Sequence, residues 1–179
     1  MIYFGDCLDV LKGLQVKVDA IITDAPYEIE FPLAFFRSIC SGNIITFCKP
    51  ENQFFKADEY AFWNKPPSPK NNTKRLCRNT EMILILRGET FNVVPYPGTS
   101  NRWDDILEEA SLYEHQKPLS LIERLVRIYT NPGDLVLDPY VGTGTMPMAC
   151  ERLGRRWIAI EKDAGRFEIA KRRLVLPTI

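Results

Sequence analysis

Two short stretches of this sequence place carboxylates where they can do chemistry. The first is Val18-Asp19-Ala20-Ile21-Ile22-Thr23-Asp24-Ala25-Pro26-Tyr27. An apolar run ends at Asp24, Pro26 stiffens the loop, and Tyr27 offers a flat aromatic face. An amino group on an aromatic ring is a poor nucleophile, because its lone pair is delocalised into the ring. An acceptor that holds its hydrogens localises that lone pair toward an electrophile. Asp24 can accept one N–H and the Ala25 carbonyl the other, so the work is positioning and preorganised electrostatics. Tyr27 could stack on a base drawn out of a duplex. An ordinary Asp-Xaa-Pro turn after a strand has the same composition.

The second stretch is Leu135-Val136-Leu137-Asp138-Pro139-Tyr140-Val141-Gly142-Thr143-Gly144-Thr145, continuing to Glu161. A strand ends at Asp138, Gly142 and Gly144 permit a tight turn, a helix follows, and a second strand ends at Glu161. Carboxylate, glycines, helix and carboxylate in that order describe a nucleoside-cofactor unit, with Glu161 placed for the ribose hydroxyls. A dinucleotide site would carry a third glycine where Pro147 stands. It would also avoid an anion such as Asp138 beside the pyrophosphate. S-adenosyl-L-methionine has no phosphate, and its ammonium and sulfonium favour a nearby carboxylate. A plain crossover turn with a surface Glu161 is the alternative. Near the N-terminus, Gly5-Asp6 follows a short strand, Ile2–Phe4; Asp6 could accept from an adenine amino group or cap the next helix.

These carboxylates need strands to hold them. Val18–Thr23, Asn43–Cys48, Tyr60–Trp63, Met82–Leu86, Leu135–Leu137 and Trp157–Ile160 read as strands. Pro118 to about Tyr129, Thr143–Leu153 and Ala164–Leu174 read as helices, and Asp105–Ala110 as a short one. Arg87-Gly88 and Asn131-Pro132-Gly133 are turns. Alternating strands and helices predict an α/β fold, a mostly parallel sheet with helices on both faces.

The chain has 179 residues, 45% hydrophobic and 26% charged, which suits one globular domain. It contains no apolar run long enough to span a membrane and no signal-peptide pattern at its start. Five scattered cysteines without a CxxC pair point to buried thiols in a reducing, cytoplasmic setting. With one histidine, His115, and no ligand spacing, no metal site is expected. Net charge is zero, yet Lys65, Lys70, Lys74, Arg75 and Arg78 lie in a proline-rich stretch with no acid among them. This loop, residues 64–78, is a candidate for phosphate contacts, with the irregular residues 90–110 as a second candidate. Trp63 and Trp103 are assigned to core packing or to stacking on DNA, Trp63 chiefly to the core.

Together the motifs resemble the β-type DNA amino-methyltransferases of restriction–modification systems, bacterial regulation and phages. That family carries Asp/Asn/Ser-Pro-Pro-Tyr/Phe before its glycine motif, and here Asp24-Ala25-Pro26-Tyr27 precedes Asp138–Thr145. Gly5-Asp6 and Gln116-Lys117-Pro118-Leu119 match two further family segments, and the likeness runs from Gly5 to about Leu174. It implies a Rossmann-like S-adenosylmethionine-dependent methyltransferase fold with circularly permuted motif order. It implies cofactor contacts from Asp6, Cys7, Lys117, Asp138, Tyr140, Gly142, Gly144, Thr145 and Glu161, with Asp6 at the adenine and Lys117 near the methionine part. The implied partner is double-stranded DNA, and a homodimer is left open. Asp at the first motif position resembles adenine-N6 enzymes more than cytosine-N4 ones. Ala25 replaces a family proline but keeps its backbone carbonyl. The stretch available for target recognition is short, so specificity is limited or supplied by a partner. Methylation of RNA or protein amino groups, and a weakened fold that only binds nucleic acid, are the competing readings.

Overall fold

The computed structural model describes residues 1–49, 55–65, 80–90, 100–104 and 116–175, with the side chain of residue 175 excluded. Lys70, Lys74, Arg75, Arg78, Cys77, His115 and the expected helix at 105–110 lie outside the described residues.

Eight strands form one sheet: β1 (Ile2–Phe4), β2 (Ala20–Thr23), β3 (Ile44–Cys48), β4 (Glu59–Asn64), β5 (Thr80–Leu86), β6 (Arg102–Trp103), β7 (Leu135–Asp138) and β8 (Arg156–Glu161). Their order is β1-β8-β7-β2-β3-β5-β4-β6. From β1 to β3 every pairing is parallel, whereas β5 runs antiparallel to both β3 and β4. The helices are α1 (Cys7–Leu14), α2 (Leu33–Ile39), α3 (Leu119–Tyr129), α4 (Thr145–Arg152) and α5 (Ala164–Val175).

The central strands are apolar because both faces are covered. Successive side chains point to opposite faces of a strand, and the core divides accordingly. Ile22, Ile45, Ile83, Ile85 and Val136 pack with Leu121 and Leu125 of α3 and Ala149 of α4. Ile21, Ile44, Leu84, Leu137 and Ile160 pack on the other side with Leu11 of α1 and Phe36 of α2. The Rossmann-like layering expected from the sequence is therefore present. Trp63 and Trp103 are both buried. Cys7, Cys40, Cys48 and Cys150 are buried free thiols.

Two elements differ from expectation. α2 was not anticipated; its seven residues bury Phe36, which touches Phe31 and Phe35. β6 lies within the segment expected to be irregular, pairing with β4 through Phe62↔Arg102 and Trp63↔Trp103. The Arg87-Gly88 turn rests directly on the Ser41-Gly42 backbone. A Cβ on Gly88 would come within 2.1 Å of the Gly42 carbonyl oxygen.

This topology sets the site. β1, β8, β7 and β2 are parallel, so Asp6, Glu161, Asp138 and Asp24 all lie at or just past the carboxyl ends of these strands. The chain leaves β7 toward β8 on one side and leaves β2 toward β3 on the other. That reversal opens a crevice beyond the carboxyl ends of β7 and β2, the usual ligand position in an open α/β sheet.

Candidate active site

Asp138 ends β7 and is buried; its Oδ1 accepts from the Thr23 hydroxyl at 2.6 Å and the Tyr140 N–H at 3.1 Å. Neither donor carries charge. Burial therefore pushes the Asp138 carboxyl up to about 7, against the pull of Thr23 and the Tyr140 N–H. It is a buried carboxylate with no cationic side chain paired to it among the described residues.

Glu161 braces the glycine turn. Its Oε2 accepts from the Gly142 N–H at 2.8 Å and its Oε1 from the Asp163 N–H at 2.9 Å. Gly142 and Gly144 have positive φ, 56° and 91°, in the region that favours glycine. Gly144 caps α4 and faces Ala170 of α5, where an added Cβ would meet Ala170 Cβ at 3.4 Å. Arg173 donates to the Thr143 carbonyl at 2.7 Å, and the Thr143 hydroxyl donates to Gln116 at 3.3 Å. The turn is thus fixed from α5 and from the residues before α3.

Asp6 caps α1, its Oδ1 accepting from the Leu8 N–H at 2.9 Å, while it also lines the crevice beside Cys7, Tyr140 and Glu161. The cap and the crevice position coexist in one side chain. Burial raises the Cys7 thiol, in part offset by its hydrogen bond with Tyr140, and pushes the Tyr140 hydroxyl well up.

On the far side of Asp24 lies a cavity of about 460 Å³ lined by Ala25, Tyr27, Trp63, Lys65, Glu81 and Lys117 among others. That volume lies within the roughly 300–1,000 Å³ usual for small-ligand sites. The Tyr27 hydroxyl is 3.5 Å from Asp24 Oδ1, and Lys49 sits over the Tyr27 ring at 4.9 Å. Lys117 ion-pairs with Asp24 and, at 3.2 Å, with Glu81. Glu81 is also paired with Lys65. Burial pushes Glu81 up, but Lys117 and Lys65 outweigh it and hold the carboxyl below its ordinary value. Burial pushes Lys117 down, and Asp24 and Glu81 more than reverse that.

Lys65, expected among the phosphate-contacting cations, thus has an acidic partner on the neighbouring strand. Lys117, implied to lie near the methionine part, stands at a boundary: it lines both the crevice beside Asp138 and the cavity beside Tyr27. Glu81 was not singled out from the sequence; its one signal was an acid immediately before the apolar run Met82–Leu86. Arg166 was also missed and lines the same three spaces as Asp24. No group of metal-ligating side chains occurs among the described residues, nor is any described helix long and apolar enough to cross a membrane.

A family model described as "DNA methylase" matches residues 34–172. The chain belongs to the DNA methylase family. Within it, the chain is 40% identical over 142 residues to the type II methyltransferase M2.LlaDCHI of Lactococcus lactis subsp. cremoris, covering 69% of this chain and 53% of that protein. M2.DpnII of Streptococcus pneumoniae, also a type II methyltransferase, is 30% identical over the same length and with the same coverage. The chain therefore spans about half the length of these relatives. Among solved structures, the M1.HpyAVI–SAM complex superposes with a TM-score of 0.82 at 29% identity, covering 98% of this chain and 99% of that one. The cytosine-N4-specific PvuII DNA methyltransferase superposes at 0.76 with 16% identity, a likeness of fold.

Proposed function

We propose that this chain transfers a methyl group from S-adenosyl-L-methionine to the exocyclic amino group of a base in double-stranded DNA, and that the atom methylated is adenine N6. One observation carries the reading. Asp24 lies where three spaces meet: the crevice beside Asp138, the crevice beside Glu161 and Asp6, and the cavity beside Tyr27. The first two have the chemistry of a nucleoside donor site, and the third holds the aromatic ring and acceptors for a planar amine.

The residues fit the donor. Asp138 is a buried carboxylate lacking a cation, which the donor's ammonium would supply. Glu161, already fixed by two backbone N–H groups, keeps lone pairs for the ribose hydroxyls, and Asp6 faces the adenine end. When bound, the donor supplies an electrophilic methyl on a positively charged sulfur. Asp24 and the Ala25 carbonyl hold the amino hydrogens, Tyr27 stacks on the ring, and the amino nitrogen is aimed in line. In the transfer the amino nitrogen would bond to the methyl carbon while the carbon–sulfur bond breaks and its electron pair returns to sulfur, leaving the neutral thioether S-adenosylhomocysteine; the proton released from the nitrogen would pass to an Asp24 carboxylate oxygen. Asp at position 24 supports adenine, as does 33% identity over 91 residues to the DNA adenine methyltransferase YhdJ of Escherichia coli. Lys70, Lys74, Arg75 and Arg78 are proposed to contact DNA phosphates.

Asp138 makes donor binding sensitive to pH. Between pH 4 and about 7 the unfolded carboxyl has lost its proton while the folded one keeps it. Stability attributable to this group therefore falls as pH rises through that interval. A cation bound beside the carboxylate reverses the penalty. Donor affinity should rise from pH 6 to pH 8, with proton release on binding at the lower pH. In Asp138→Asn this rise should flatten, as read by calorimetry in buffers of differing ionisation enthalpy. A full pH dependence in the variant would remove Asp138 from the donor site.

Incubation with methyl-labelled S-adenosylmethionine and, in parallel, unmethylated duplex DNA, RNA or protein tests the substrate class. Label in DNA alone is expected. Label confined to RNA or protein would overturn the reading, and donor binding without transfer would leave a fold that only binds.

A further inference from the structure

Asp24 is embedded in a chain of alternating charge. Lys117 pairs with Asp24 and Glu81, and Glu81 pairs with Lys65. The Lys117 side chain is only 7% exposed, its ammonium 4.8 Å from the Phe47 ring centroid. An ammonium has three N–H donors and no acceptor. The hydrogen bond to Asp24 uses one of those donors, and the contact with Glu81 Oε2 at 3.2 Å is an ion pair without a hydrogen bond. The other N–H groups meet no hydrogen-bond acceptor among the described residues, although Lys117 lines the cavity beside Tyr27.

Adenine and cytosine share one feature at the edge that carries the amino group. The ring nitrogen bonded to the amino-bearing carbon has a free lone pair, N1 in adenine and N3 in cytosine. If Asp24 accepts an amino hydrogen, that ring nitrogen comes beside the cation touching Asp24. We infer that Lys117 reads the target base, donating an N–H not used by Asp24 to the ring nitrogen next to the amino group. This rests on the function proposed above.

The pair Asp24 and Lys117 then presents acceptor beside donor, the complement of the adenine or cytosine edge. Guanine and thymine present a carbonyl oxygen and a ring N–H at the corresponding atoms, so each would set oxygen against carboxylate and N–H against ammonium. Glu81 balances the charge of Lys117 once the base has taken its place beside Asp24. The role differs from a contact with the donor's methionine part, which would affect donor affinity without distinguishing one ring atom from another.

The test uses duplexes carrying the mapped methylation site, with the target adenine replaced by 1-deazaadenine or 7-deazaadenine (3-deazacytosine if the mapped base is cytosine). Single-turnover rates are measured for wild type, Lys117→Met and Lys117→Arg, with donor affinity followed by calorimetry. A charge-assisted hydrogen bond predicts that removing N1 slows wild type about 10- to 100-fold. Removing N7 should have little effect. Lys117→Met should be slow on adenine and suffer no further loss from the 1-deaza change, its donor affinity near that of wild type. Lys117→Arg should recover part of the N1 dependence. Equal rates for the two deaza duplexes with wild type would overturn the inference, a comparison that stands even if Lys117→Met fails to fold. An undiminished 1-deaza penalty in Lys117→Met would overturn it equally. Wild type that transfers no methyl to the unmodified duplex would instead overturn the functional reading, and the inference with it.

Discussion

Replacing Asp24 with alanine should lower methyl transfer to DNA about a thousandfold, the upper range for removing one preorganised group at a reacting centre. The carboxylate lies where the two crevices proposed for the donor meet the cavity proposed for the base, and no neighbour can take over both its proposed tasks. Tyr27 is 3.5 Å away but is a hydroxyl held well above its ordinary pKa by burial and by Asp24. Donor affinity should hardly change, because the proposed donor contacts are made by Asp138 and Glu161. Lys117 keeps Glu81 as a partner in the variant, so the fold should survive. Asp24→Asn, which retains an acceptor but not the charge, should fall between wild type and Asp24→Ala. The measurement is single-turnover transfer alongside donor calorimetry; near-normal turnover in Asp24→Ala would remove this residue from the chemistry.

The second large effect is expected at Glu161. Its two oxygens each accept a backbone N–H, from Gly142 and from Asp163, and the same carboxylate is proposed for the ribose. Alanine there removes a donor contact and leaves the glycine turn without its brace. Hydrogen bonds to charged groups contribute about 1.5–3 kcal/mol each, so donor affinity should fall on the order of 100-fold or more. Glu161→Gln keeps one acceptor oxygen and should lose less. Calorimetry without DNA separates this from any effect on the base cavity. Unchanged affinity in Glu161→Ala would place the donor elsewhere.

Much of this arrangement was legible from the chain. The central strands are buried on both faces, which writes them as apolar runs, and a carboxylate at the end of such a run is conspicuous. That is how Asp24, Asp138 and Glu161 could be found. The remainder depends on contacts distant in sequence. β6 is two residues long and exists through its pairing with β4. α2 follows a proline cap with no side-chain hydrogen bond, so no polar capping residue announces it. Lys65 looked like one of five cations free of acidic company. Its partner Glu81 lies on β5, opposite Trp63 in the antiparallel register with β4. Glu81 also meets Lys117, from the segment just before α3, an adjacency that spacing along the chain could not reveal.

The central claim is that Asp24 directs a methyl group onto the exocyclic amino group of a DNA base. Its most direct test is to treat unmethylated genomic DNA with the protein and S-adenosylmethionine, digest it to nucleosides and identify the modified one by mass spectrometry against standards. N6-methyl-2′-deoxyadenosine should appear with wild type and be absent with Asp24→Ala. N4-methyl-2′-deoxycytidine in its place would keep the mechanism and change the base. A methyl group on a ring carbon, or an identical yield from Asp24→Ala, would contradict the account.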